Sequence, residues 1–126
     1  MKAILLIDHG SVKSEANEML ADVASMVQEM AGPEVLVGYA HMELAEPDID
    51  AGFAACVARG ATDVVAFPYM LSPGKHSTRD IPRLVAAAAA RHPRVTYSVT
   101  PAFGVHEKLG EVVLERAGVT AQSIRA

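Results

Sequence analysis

The sequence predicts a single α/β domain of three layers, in which helices flank a four-stranded parallel sheet. Three observations support this prediction. Four short apolar runs alternate along the chain with four segments of helical periodicity. The 126 residues fit one domain, and no proline-rich linker or block of like charge divides residues 1–126. Strands that alternate with helices pair in parallel through right-handed crossovers, so the strand-to-helix loops should share one edge of the sheet.

The first four elements each carry a local signal. The apolar run 3–7 predicts a strand that is buried on both faces. Apolar residues recur at spacings of three and four from Ser14 to Ala31, which predicts a helix capped by its first serine and ended by Gly32-Pro33. The run from Val35 to Met42 predicts the second strand. The segment from Asp48 to Arg59 predicts a helix, because acidic residues occupy its first turn and a glycine follows its end.

The second half of the chain repeats the alternation. The run from Val64 to Met70 predicts the third strand. The alanine-rich stretch from Pro82 to Arg91 predicts a helix, with one proline near its first turn and another beyond its end. A fourth strand is predicted from Val95 to Thr100, and a last helix from about Val105 to Ala117, where a glycine closes it.

Composition and missing motifs narrow the classes of function. Hydrophobic residues make up 51% of the chain, as in a globular domain, and the net charge of −4 argues against general nucleic-acid binding. The single cysteine, Cys56, lies among alanines and is predicted to be a buried small hydrophobe. No Walker loop or G-x-G-x-x-G motif follows the first strand, so nucleotide binding has little support. The apolar run at Ala3 is too short for a signal peptide or membrane span, and we expect a cytoplasmic location.

Histidines are concentrated where the strand-to-helix loops are predicted. Four of the five fall at or near these loops: His9, His41, His76 and His106. His9 and His76 each follow an apolar run, in a short polar loop that contains glycine. Ligands bind at the carboxyl edge of a parallel sheet, so these two imidazoles should face one site. Two imidazoles and a carboxylate form a partial shell for a divalent transition metal, which predicts a metal-binding site.

The identity of the carboxylate leaves alternatives open. Glu43 in the second loop is favoured, while Glu46 competes for the same role and a position at the helix start is the other interpretation. His41 would share a face with Glu43 if the strand continues, which makes it an auxiliary candidate. His106 is equally well explained as the surface residue that begins the last helix.

Basic residues surround the second predicted loop. Lys75 and Arg79, with Arg83 and Lys13 nearby, either belong to a solvated helix start or form a basic rim that holds an anionic substrate. Positive charge at the start of a helix is mildly unfavourable, which favours the role in substrate binding.

Five motifs, in chain order, resemble the CbiX-type sirohydrochlorin chelatases: His9-Gly10-Ser11, Met42-Glu43-Leu44-Ala45-Glu46-Pro47, Pro68-Tyr69-Met70-Leu71, Gly74-Lys75-His76 and Asp80-Ile81-Pro82. The resemblance covers nearly the whole chain with matching spacing. It implies the class II chelatase fold and an enzyme of the lyase class that inserts cobalt or ferrous iron into sirohydrochlorin, toward cobalamin or siroheme. Related archaeal members insert nickel. His41 departs from the pattern, because the family usually has an aromatic or apolar residue there.

The resemblance also implies roles for individual residues. The family's two metal-binding histidines correspond to His9 and His76, and its carboxylate corresponds to Glu43. These residues would hold the incoming cation, and the neutral imidazoles would accept the pyrrole protons. The divalent metal is then a substrate, and no permanent cofactor is required.

Binding of the tetrapyrrole would use other groups. Lys75 and Arg79 would contact its carboxylates through charge-assisted hydrogen bonds. The backbone N–H groups of Gly10 and Ser11 would do the same at a helix start. Resemblance to the short form of the family implies a homodimer, in which each chain supplies half of the enclosure.

Other functions remain open at the level of sequence. A non-catalytic metal- or tetrapyrrole-binding paralogue is the main alternative, and His41 is the feature that favours it. A flavodoxin-like interaction domain without a metal is a third possibility. A histidine-based phosphoryl-transfer enzyme has less support, because Asp8 rather than an arginine precedes His9. Histidine and glutamate ligands suit cobalt, nickel, ferrous iron and zinc alike, so the sequence does not identify the metal.

Overall fold

The protein is described by a computed structural model that covers residues 1–122. The strands are β1 (Lys2–Asp8), β2 (Val35–His41), β3 (Asp63–Pro68) and β4 (Thr96–Val99). The helices are α1 (Ser14–Ala31), α2 (Ile49–Ala58), α3 (Ile81–Ala89) and α4 (Glu107–Ala117). Each predicted element is present, with bounds that differ by no more than two residues. A π-helical turn, His76–Asp80, leads directly into α3 and was not predicted from the sequence.

The four strands form one parallel sheet in the order β2-β1-β3-β4, which confirms the predicted fold class. The register aligns Asp8 with His41 and Ile7 with Pro68. The loops that follow β1, β2 and β3 therefore begin side by side at the carboxyl edge. This alignment brings together loops that are distant in the sequence.

The core lies on both faces of the sheet, because successive side chains of β1 point in opposite directions. Leu5 and Ile7 pack with α2 and α3 around Phe53, which is fully buried. Leu6 faces the other way and packs against Leu20 of α1. Burying a side chain such as Phe53 stabilises the fold by roughly 1.5–3 kcal/mol. The two packed faces fix β1 rigidly, and its carboxyl end carries the first predicted site residue.

The predicted cap of one helix differs from the structure. Ser14 is the first helical residue of α1 and not its cap; Lys13 occupies the cap position without a side-chain hydrogen bond. The hydroxyl of Ser11 instead accepts the backbone N–H of Lys13 at 3.0 Å, because the loop turns back before the helix begins. At α4, Nδ1 of His106 accepts the N–H of Lys108 at 3.1 Å. His106 therefore acts as a helix cap, in agreement with its structural interpretation.

Two further expectations can be compared with the structure. Cys56 is buried, and burial raises the pKa of its thiol, so it behaves as the small hydrophobe that the sequence predicted. Among residues 1–122, no helix is both long enough and apolar enough to cross a membrane.

Candidate functional site

His9 and His76 meet at the carboxyl edge of the sheet. His9 follows β1, and His76 begins the π-helical turn after β3. Their ring centroids lie 4.3 Å apart, and the ring planes are inclined by 79° in an edge-to-face arrangement. Two imidazoles that are distant in sequence thus face one site, as strand topology predicted.

The two rings line a cavity of about 600 Å³. One wall comes from the loop after β1, and apolar side chains of Tyr69, Met19 and Leu71 form another part of the lining. A second cavity of similar volume lies between α1 and α2, but its lining contains no histidine, aspartate or glutamate. Of these two cavities, only the one that contains His9 and His76 offers imidazole nitrogens, which are good ligands for transition metals.

The loop after β1 is held in a conformation that requires glycine at position 10. Gly10 has a φ of 87°, in the left-handed region that side chains disfavour. A Cβ atom there would lie 1.7 Å from the carbonyl oxygen of Glu43. The loops after β1 and β2 consequently touch through their backbones beside His9.

The backbone N–H groups of Gly10 and Ser11, which were predicted to bind substrate, donate to side chains of this chain. The N–H of Gly10 donates to Oδ1 of Asp8 at 3.0 Å, and that of Ser11 donates to Oδ1 of Asn17 at 3.0 Å. The amide of Asn17 also donates to the carbonyl of Ser11 at 2.7 Å. Asn17 and Asp8 satisfy these donors because the loop folds back on itself. Gly10 and Ser11 still line the cavity and shape its wall.

Asp80 lies beside His76; in the sequence it was named only within the motif Asp80-Ile81-Pro82 and was given no role in the site. Its Oδ2 is 3.2 Å from Nδ1 of His76, a buried nitrogen with no well-aligned hydrogen bond. The hydrogen bond from Arg79 to Asp80 is the main reason that the pKa of this carboxyl is lowered, so it is ionised at neutral pH. The spacing of four residues on a helical segment was the available signal. With Nδ1 buried, Nε2 is the His76 nitrogen available to the cavity.

Glu43 is attached to the site by its backbone only. Its N–H donates to the carbonyl of His9 at 3.0 Å, and its side chain is exposed. Within residues 1–122, no group of three or more histidine, cysteine, aspartate or glutamate side chains is arranged to hold a metal ion. The three predicted ligands therefore do not form a preassembled shell, because the exposed Glu43 side chain is not fixed against the histidine pair.

The predicted basic rim lies outside the cavity lining. Lys75 and Arg79 are exposed, and neither lines the cavity. The guanidinium of Arg79 approaches Oδ1 of Asp80 at 3.2 Å while its side chain is 67% exposed. Both side chains are exposed to solvent, although Nε of Arg79 donates to Asp80.

The remaining histidines take other positions. His41 is 1% exposed, and its Nδ1 lies 2.6 Å from Oδ1 of Asp8, so it does not line the cavity. His92 stacks on Phe53 with ring centroids 5.6 Å apart, beyond the end of α3. His106 caps α4. Two of the five histidines thus form the site, and the structure assigns each of the others a packing or capping partner.

Comparison with known proteins gives a consistent set of similarities. The model of the CbiX family matches residues 3–120. The chain is 43% identical over 113 residues to the chloroplastic sirohydrochlorin ferrochelatase of Arabidopsis thaliana, across 90% of this chain and 50% of that protein. It is 32% identical over 124 residues to the sirohydrochlorin cobaltochelatase of Priestia megaterium, across 98% of this chain and 40% of that protein.

A solved structure is similar as well. The sirohydrochlorin chelatase SirB of Bacillus subtilis subspecies spizizenii, in complex with cobalt, superposes with a TM-score of 0.84 at 32% identity. The alignment covers 93% of this chain and 50% of that chain. This chain therefore spans about half the length of these three proteins.

Proposed function

Because this chain belongs to the CbiX family, we propose that it inserts a divalent metal ion, cobalt or ferrous iron, into sirohydrochlorin. The observation that carries the proposal is the pair of imidazoles, His9 and His76, whose ring centroids lie 4.3 Å apart on the wall of one cavity. Neutral imidazole nitrogen is a good ligand for cobalt and iron. The relatives named as ferrochelatase and cobaltochelatase support both metals as cargo.

Metal insertion makes two chemical demands on the protein. A dehydrated cation must be delivered to the ring plane, and two pyrrole protons must be removed. His9 and His76 hold the cation and then accept the protons, since a neutral imidazole nitrogen is both a metal ligand and a general base. Asp80 faces Nδ1 of His76 and orients the ring so that Nε2 points to the cation. The exposed carboxylate of Glu43 supplies the third ligand by rotating toward His9, to which its backbone is bonded.

Binding of the tetrapyrrole divides between apolar and charged contacts. The side chains of Tyr69, Met19 and Leu71 offer an apolar surface to the flat macrocycle. Lys75 and Arg79, exposed beside the cavity, reach the peripheral carboxylates. Gly10 and Ser11 contribute the shape of the wall, because their N–H groups are engaged elsewhere.

The working unit is a homodimer in which each chain supplies half of the enclosure. Helix α4 supports this proposal, because it has no buried residue and leaves Val112 and Val113 exposed. The expected cytoplasmic location belongs to the same proposal; the Arabidopsis relative is named as chloroplastic.

The main alternative, a paralogue without turnover, depended on His41. This residue is buried against Asp8 and leaves the cavity to His9 and His76. His41 therefore adds no ligand to the cavity, and the insertion assay below separates the two functions.

A metal-insertion assay tests the proposal. Purified full-length protein is mixed with sirohydrochlorin and Co²⁺, or with Fe²⁺ under anaerobic conditions, and the absorbance of the tetrapyrrole is followed. His76→Ala should reduce the rate by roughly a hundredfold or more, since a ligand and proton acceptor is lost. His92→Ala is the matched control, because His92 stacks on Phe53 outside the cavity. A folded His76→Ala protein with the unmutated rate would refute the assignment.

A further inference from the structure

A buried polar pair lies directly behind the cavity, where β1 and β2 end side by side. Asp8 and His41 are register partners in the sheet, and Nδ1 of His41 lies 2.6 Å from Oδ1 of Asp8. His41 is 1% exposed and Asp8 is 24% exposed. A carboxylate can only accept, so Nδ1 of His41 donates. A ring this deeply buried is costly unless its polar atoms have partners, so the bond is a specific feature of this site.

The same carboxylate oxygen also binds the loop that carries His9. Oδ1 of Asp8 accepts the backbone N–H of Gly10 at 3.0 Å, so one oxygen joins β2 to the residue just after His9. The main chains continue this connection beyond the strands. The carbonyl of Asp8 accepts the N–H of Met42 at 2.8 Å, and the carbonyl of His9 accepts the N–H of Glu43 at 3.0 Å. Hydrogen bonds therefore hold the backbone on both sides of His9.

We infer that His41 is a positioning residue, whose hydrogen bond to Asp8 holds the His9 loop against the Glu43 backbone and so orients the metal-binding side chains. The inference rests on the proposed function for the identity of the ligands. A ligand set works only when its supporting partners fix it closely, and within residues 1–122 the His9 ring makes no hydrogen bond that would do so. His41 supplies that support from the neighbouring strand.

The consequence of losing the bond follows from the exposure of Asp8. An apolar ring at position 41 fills the space of the imidazole but leaves the carboxylate with only the N–H of Gly10. Because Asp8 is 24% exposed, its side chain can turn toward water and draw the loop with it. The expected defect is a loosened His9 and not an unfolded protein.

Two substitutions at position 41 separate the hydrogen bond from packing. His41→Phe keeps an aromatic ring and removes the donor. His41→Asn places an amide N–H close to the position of Nδ1 and keeps the donor. His92→Phe is the matched control, since it changes a histidine outside the cavity.

Three measurements are made on each full-length variant. Cobalt(II) affinity is measured without sirohydrochlorin, kcat and KM are measured in the insertion assay, and NMR records the nuclear Overhauser effect between the His9 and His76 rings. His41→Phe should lower cobalt affinity and kcat by about tenfold or more. It should also weaken the ring-to-ring signal and leave the KM for sirohydrochlorin unchanged. His41→Asn should restore most of each loss, and His92→Phe should show none.

Several outcomes overturn the inference. One is a folded His41→Phe protein with unmutated cobalt affinity and ring-to-ring signal. Another is a loss in His41→Asn at least as large as that in His41→Phe, which would mean that restoring the donor does not restore the site. If His41→Phe does not fold, Asp8→Ala, which removes the acceptor, takes its place, and unmutated cobalt affinity in that variant overturns the inference. If the unmutated protein does not metallate sirohydrochlorin, the proposed function fails, while the ring-to-ring signal still decides whether His41 holds the loop.

Discussion

Gly10→Ala should be among the most damaging single substitutions in this protein. The new methyl group would lie 1.7 Å from the carbonyl oxygen of Glu43 and 3.1 Å from Cβ of His41, and the backbone there has a φ of 87°. A left-handed backbone with a side chain costs roughly 1–2 kcal/mol. Relief of the clash also breaks the bonds from Gly10 to Asp8 and from Glu43 to His9, at about 0.5–1.5 kcal/mol each. The loss is therefore about 2–5 kcal/mol.

Urea unfolding followed by circular dichroism measures this loss. Small domains have free energies of unfolding of only about 5–15 kcal/mol, so the midpoint should fall visibly. Gly110→Ala is the matched control, because nothing lies within 4 Å of a Cβ at that helical position. It should be neutral or stabilising by up to about 1 kcal/mol. A Gly10→Ala protein within about 0.5 kcal/mol of the unmutated one would refute the argument that the two loops must touch, since that is the usual range of surface substitutions.

Two further predictions concern charge and assembly. Arg79→Ala should raise the pKa of Asp80, because the Arg79 hydrogen bond is the main cause of its lowered value; an NMR titration of the carboxyl carbon that shows no change would contradict this. Because its pKa is lower in the folded state, the Asp80 carboxylate stabilises the fold above the unfolded pKa of about 3.9, and this contribution is lost as the pH falls through the folded pKa. Arg79→Ala should therefore make the free energy of unfolding depend less on pH in that window. Val113→Glu should convert the proposed dimer to monomer in sedimentation velocity, because it puts charge on the exposed face of α4; an unchanged oligomer would place the interface elsewhere.

Much of the fold was predictable because its signals are local. Apolar periodicity separated strands from helices throughout, and the glycines after α2 and α4 marked their ends. The π-helical turn from His76 to Asp80 was missed, since its polar residues look like an ordinary loop. The prediction that Ser14 caps α1 was wrong. The loop before the helix makes its own bond instead, from the N–H of Lys13 to the hydroxyl of Ser11.

The candidate site was predictable to a lesser degree. His9 and His76 were found because strand ends of a parallel sheet converge, a rule that needs no side-chain detail. Glu43 was placed beside His9 only through its backbone, and the position of an exposed carboxylate is not fixed by spacing. The hydrogen bond from the Gly10 N–H to Asp8 also depends on a loop conformation that no sequence pattern specifies.

The sequence by itself determined the order of elements, the single-domain fold class and the two histidines at strand ends, because each follows from contacts between near neighbours in the chain. Only the tertiary structure decided which side chains pair with the histidines near the site. The bond between His41 and Asp8 requires the register of β1 against β2, and the place of Asp80 beside His76 requires the π-helical turn. Register and turn geometry arise from packing across the sheet, which is a property of the folded chain and not of any one segment.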